Sequence, residues 1–111
     1  MVFSWPIGRQ TPLVSGMADS PKRQETVLEI VNQLGLHARA AARFVEVASR
    51  FEAEIDVLHS GHQANGKSIM SLMMLAAARG SRLAVTATGD DADDALQALA
   101  ELVGNRFGEA D

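Results

Sequence analysis

The chain has 111 residues, 47% of them hydrophobic, with four phenylalanines, one tryptophan and a net charge of −4. That is one domain with an aliphatic core. The absence of cysteine excludes disulfides and thiolate metal sites, and the acidic balance argues against a nucleic-acid partner, which leaves a basic footprint. No apolar run approaches the ~18–20 residues of a membrane span.

Residues 1–24 differ in texture from the rest. They hold all three prolines (Pro6, Pro12, Pro21) and the only tryptophan, Trp5. They lack the charged start and continuous apolar stretch of a secretory signal. We read them as a disordered N-terminal extension, with the domain proper over 25–108. Met17 offers an alternative translation start, with the preceding residues as upstream read-through. The rival reading is a docking arm that uses Phe3 and Trp5.

Within the domain, Leu28 and Ile30 alternate with Glu29 in a first strand over Thr26 to Val31. From Ala38 to Phe51, Ala41, Phe44, Val45, Ala48 and Phe51 recur at helical spacing. Glu54 to Val57 alternates again as a second strand. Ser60-Gly61-His62 marks a turn, followed by a short return strand to Asn65. Ser68 is a good N-cap for a helix through about Leu75. Gly80 ends the next segment, and Leu83, Val85 and Ala87 alternate in a last strand. Asp90 is expected to cap the final helix, with Asp91, Asp93 and Asp94 near its positive end. Leu96, Leu99, Val103 and Phe107 form that helix's stripe. The order βαββαβα fits an α+β fold with a single sheet and helices on one face.

The most informative segment is Gly35-Leu36-His37-Ala38-Arg39-Ala40-Ala41. It ends the first strand and opens an alanine-rich helix with an imidazole at the helix start. The first N–H groups of a helix lack intrahelical partners and collect anions. Histidine ordinarily titrates near ~6.5, so a neutral, nucleophilic ring is available around pH 7. Beside helix N–H groups and the Arg39 guanidinium, such a ring can accept a phosphoryl group and hold the product.

This segment resembles the phosphorylation site of the histidine-containing phosphocarrier (HPr) family of the bacterial phosphoenolpyruvate-dependent phosphotransferase system. A second segment, Asn65-Gly66-Lys67-Ser68-Ile69-Met70-Ser71-Leu72-Met73-Met74-Leu75, is similar to that family's regulatory serine and the helix after it. The spacing of the two segments and the ending from Gly89-Asp90-Asp91 also fit, over roughly Glu25 to Phe107. The resemblance implies an open-faced β-sandwich of four antiparallel strands and three helices. It implies phosphorylation of His37 on Nδ1 by phosphorylated enzyme I, stabilisation by Arg39, and delivery to a IIA-type domain. It further implies a cytoplasmic, monomeric bacterial carrier, rather than a turnover enzyme, with no cofactor. Many family members carry proline after the arginine. Here it is Ala40, a good helix former at little cost, which lightly favours a nitrogen-type branch.

Ser68 has a sufficient structural reason as an N-cap. By resemblance it is also the target of an HPr kinase/phosphorylase, and a phosphate there sits at the positive end of its helix. Ile69, Met70, Leu72, Met73, Met74 and Leu75 are too apolar for one short helix with a single buried face. Leu72 and Leu75 are assigned to the core. Ile69, Met70 and Met73 are assigned to an exposed partner-binding patch, since flexible methionines suit several partners in turn. His59 and His62 read as a surface hairpin rather than a metal pair, because no third ligand is evident. Three functions compete: a phosphoryl shuttle, a regulatory module controlled by its phosphorylation state, and a plain small-molecule-binding domain. The last needs a pocket that nothing in the sequence marks.

Overall fold

The structure, a computed structural model, describes residues 22–110. The expected extension, with Met17, Phe3 and Trp5, lies outside the described residues except for its last positions. Arg23 and Gln24 are already in the first strand, so the folded part begins earlier than expected.

The elements follow as β1 (Arg23–Glu29), α1 (Ala38–Ala48), β2 (Glu54–His59), β3 (His62–Asn65), α2 (Ile69–Met73), β4 (Arg82–Thr88) and α3 (Ala92–Gly104), closed by a short 3₁₀ turn at Arg106–Gly108. The sheet is antiparallel throughout, in the order β1-β4-β2-β3. This is the expected open-faced sandwich.

Period-two patterning sets the sheet's two faces. Val57 lies opposite Val85 and Ile55 opposite Ala87, all buried against the helices. Val27 and Leu58 point to the open side and are exposed. Phe44 of α1, Leu72 of α2 and Leu99 of α3 are fully buried and close the core over the sheet. Burying each such side chain contributes about 1.5–3 kcal/mol.

Three expectations are corrected. On α1 the deep residue is Val47, while Val45 is only partly buried. At 3.6 residues per turn, Val47 lies roughly 60° from Phe44 around the axis and Val45 roughly 100°, so the stripe centred on Phe44 takes Val47. At the start of α3, Asp91 rather than Asp90 occupies the N-cap position, and it caps no N–H of its own helix. Its carboxylate instead accepts the backbone N–H groups of Glu52 and Ala53, both at 2.9 Å, and so ties α3 to the loop before β2. Those bonds lower the Asp91 pKa, the Glu52 N–H contributing most, against a smaller opposing effect of desolvation.

The third correction concerns Phe107. It belongs to the turn after α3, not to the helix stripe. Arg106 and Phe107 both take left-handed backbone, with φ of 57° and 56°, and the chain doubles back to bury Phe107 completely. Left-handed backbone costs about 1–2 kcal/mol per residue. Burial of the phenyl ring is of the same order, and the Arg43 guanidinium adds a hydrogen bond to the Phe107 carbonyl. The consequence is positional: the chain after Phe107 is brought back to the start of α1.

Candidate functional site

The loop between β1 and α1 is built to present one side chain. Gly35 has φ of 73°, and a Cβ there would lie 2.6 Å from the Ala77 carbonyl oxygen. Only glycine fits that conformation and that approach. The Leu36 N–H donates to the same Ala77 oxygen at 2.9 Å, and the Leu36 side chain is buried. With Leu36 anchored inward, His37 comes out at the N-cap of α1.

His37 caps the helix with its ring. The Arg39 N–H donates to Nδ1 at 3.3 Å, while Nε2 lies 2.5 Å from Oε2 of Glu109. The His37 side chain is 29% exposed, so the ring is held but reachable. No acidic residue stands in the first turn of α1, so no side chain of that turn offsets the positive end of the helix dipole. An open depression of about 640 Å³ adjoins the ring and is lined by His37, Arg39, Arg43, Glu109 and the exposed Leu34 among others. Ring, helix N–H groups and two guanidinium-bearing side chains therefore share one surface. It can receive a small dianion next to a ring nitrogen.

Three residues of this site were not legible in the sequence. Arg43 lies one helical turn beyond Arg39, a spacing that could have flagged it. Asn32 is completely buried, donating from Nδ2 to the Gly35 carbonyl at 2.8 Å and to Oε1 of Glu109 at 3.1 Å. Glu109 falls past the expected domain end at 108, and only the reversal at Phe107 brings it to His37. Burial pushes the Glu109 pKa up. Hydrogen bonds from His37 and Asn32, with the charges of His37 and Arg43, outweigh that and leave it lowered.

Ser68 stands at the N-cap of α2, its Oγ accepting the Ser71 N–H at 3.2 Å, and it does not line the His37 depression. Its loop is fixed by the Asn65 side chain, which accepts the Lys67 N–H at 2.8 Å, and by Lys67 Nζ donating to the Phe51 carbonyl at 2.7 Å. Leu72 and Leu75 are in the core, as expected. Ile69, Met70 and Met73 are exposed at 39, 74 and 43%, and Met74 joins them at 80%, a large apolar surface on one short helix. Helix α2 packs beside α1. His59 and His62 face each other across the β2–β3 hairpin, each ring near a backbone carbonyl. Among the described residues no group of three or more potential ligands converges on a metal position.

Known proteins match this arrangement. A family model described as the PTS HPr component phosphorylation site matches residues 24–105. The phosphocarrier protein HPr of Neisseria meningitidis is 46% identical over 84 residues, covering 76% of this chain and 94% of that protein. The phosphocarrier protein NPr of Shewanella violacea is 41% identical, covering 78% and 94%. A crystal structure of HPr from Thermoanaerobacter tengcongensis superposes with a TM-score of 0.75 at 43% identity, covering 78% of this chain and 97% of that one.

Proposed function

The chain belongs to the HPr family of phosphocarrier proteins of the phosphotransferase system, and we propose that His37 is the residue that carries the phosphoryl group. The observation that supports this most is the pairing at the ring: Nδ1 faces the open N-terminus of α1 through the Arg39 N–H, with Arg39 and Arg43 on the same depression. The Arg39 amide is a donor, so Nδ1 carries a lone pair. In the proposed reaction that lone pair attacks the phosphorus of phosphorylated enzyme I. The bond from phosphorus to the donor breaks, and the donor keeps the electron pair. The Arg39 N–H then turns from the ring nitrogen to a phosphoryl oxygen, and the guanidinium offsets its charge. Such transfer rests mainly on positioning and charge stabilisation, which a small domain can supply when its partners bring the rest. Delivery to a IIA-type domain runs the same step outward. The protein acts as a carrier without turnover of its own, and no cofactor enters the scheme.

The exposed Ile69, Met70 and Met73 supply the proposed docking surface for enzyme I and for the acceptor, with Met74 added to it. Ser68, at the edge of that surface, is the proposed target of an HPr kinase/phosphorylase. A second reading is a nitrogen-type carrier that controls partners by its phosphorylation state without sugar transport. Ala40 in place of the family's frequent proline lightly favours it, and a phosphocarrier protein NPr is among the similar proteins.

Incubation with enzyme I, phosphoenolpyruvate and Mg²⁺ tests the site. Acid-labile phosphate should appear on the wild-type chain and be absent from a folded His37→Ala variant. Label on His37→Ala would reject the assignment. Arg39→Glu, at an exposed position, should slow transfer by about tenfold or more while leaving stability nearly unchanged.

A further inference from the structure

We propose that Glu109 is a positioning residue for phosphoryl transfer, holding the proton of His37 on Nε2 so that Nδ1 stays the nucleophile and the phosphorylated ring stays a good leaving group. This rests on the reading of His37 as the phosphoryl carrier. The ring's two neighbours set its tautomer. A backbone N–H can only donate, so Nδ1, 3.3 Å from the Arg39 N–H, is the acceptor. A carboxylate only accepts, so Nε2, 2.5 Å from Oε2 of Glu109, is the donor. The Glu109 side chain is only 10% exposed and is itself held by Nδ2 of the buried Asn32 on its other oxygen. Its approach is fixed from behind by the buried Phe107 and the Arg43 bond to the Phe107 carbonyl. This is a built contact rather than a surface ion pair. Buried carboxylates on catalytic imidazoles elsewhere fix the tautomer and stabilise the imidazolium.

The proton balance follows. The form of the ring that attacks has hydrogen on Nε2 and a lone pair on Nδ1. When Nδ1 bonds to phosphorus, the hydrogen on Nε2 remains and the ring becomes a phosphoimidazolium, paired with the Glu109 carboxylate. When the Nδ1–P bond breaks toward the acceptor, the electron pair returns to the ring, which leaves as neutral imidazole. No proton enters or leaves in either direction. Without the carboxylate the phosphorylated ring loses its Nε2 hydrogen more readily, and an anionic imidazole is a poor leaving group. The charged and polar groups facing Glu109 are His37, Asn32 and Arg43. Arg39 shares the depression on one side, and Arg79 and Arg106 line a second hollow on the other.

The test uses the full chain and its Glu109→Gln and Glu109→Asp variants, with folding verified by circular dichroism. Each is phosphorylated by enzyme I and phosphoenolpyruvate, repurified, and followed for loss of phosphate from pH 5 to 9. In Glu109→Gln the hydrolysis profile should move to lower pH, with hydrolysis near pH 7.5 slowed by about tenfold. Glu109→Asp should restore most of the wild-type profile. Superimposable profiles for wild type and Glu109→Gln overturn the proposal, and so does an Asp variant that behaves like Gln. Loss of packing alone would not move a pH profile. A second readout needs no phosphate: long-range ¹H–¹⁵N spectra of the resting wild-type ring should show hydrogen on Nε2 and none on Nδ1. Hydrogen on Nδ1 overturns the role of Glu109. If the wild-type chain takes no label, the phosphocarrier reading fails separately, and the spectra still decide this one.

Discussion

Replacing Gly35 with alanine asks whether the residues before His37 serve its placement. Two penalties are separable. A non-glycine residue at φ of 73° costs about 1–2 kcal/mol in backbone conformation. The added methyl also meets the Ala77 carbonyl oxygen at 2.6 Å and the Ala78 Cα at 3.0 Å. Both belong to backbone, so neither can swing aside, and the 32–36 turn or the 77–78 segment must shift. Such a shift weakens the hydrogen bond from Leu36 N–H to Ala77, another ~0.5–1.5 kcal/mol. The sum is roughly 1.5–3.5 kcal/mol. At about 4–8 °C per kcal/mol for a domain of this size, the melting temperature should fall by roughly 6–28 °C. Gly61→Ala is the internal control. It has φ of 81° but no atom within 4 Å of the added methyl, so it reports the conformational penalty alone. Urea unfolding of both variants, with wild type, gives the comparison. Phosphoryl acceptance by Gly35→Ala should fall even where the protein is fully folded, because His37 hangs from the displaced turn. If Gly35→Ala costs no more than Gly61→Ala, the close packing of this turn is not what fixes His37.

The depressed Asp91 pKa has a defined sign. Its contribution is complete above the ordinary carboxylate range and is lost as pH falls through the lowered folded value, below about pH 4. Asp91→Asn should therefore reduce stability at neutral pH and flatten the decline between pH 5 and 2.5, measured by thermal unfolding across that range. An unchanged acid profile would remove the Asp91 link between α3 and the β2 approach. Ser68→Asp should keep α2 capped, while its charge, beside exposed Ile69, Met70 and Met73, weakens transfer from enzyme I by about tenfold. Ser68→Ala removes the cap, at about 1 kcal/mol, without adding charge. Equal impairment by both in a kinetic transfer assay would make Ser68 a cap only.

Much of this protein was written locally. Alternation at Leu83, Val85 and Ala87 and helical spacing through Phe44 specify element type, because a strand or helix at a surface buries one face by its own period. Ser68 as a cap needs only the backbone three residues ahead, which bonds as expected. His37 at a helix start was likewise legible, since Gly35 and the alanine run define that boundary within a few positions. What failed were choices among equivalent local options. Asp90 and Asp91 are alike as caps, and the amides of Glu52 and Ala53, 39 and 38 residues away in sequence, took Asp91 out of that role. Val103 and Phe107 stand four apart, as a helix stripe would, yet two left-handed residues turn the chain back. Glu109 reaches His37 across 72 positions of sequence. No local pattern encodes that contact. It exists because burying Phe107 against α1 and bonding Arg43 to its carbonyl stabilise the reversal, and the same reversal delivers a carboxylate to Nε2 of the ring. The sequence determined the fold and the placing of His37 at the start of its helix. The tertiary structure alone decided what stands on the other side of the imidazole.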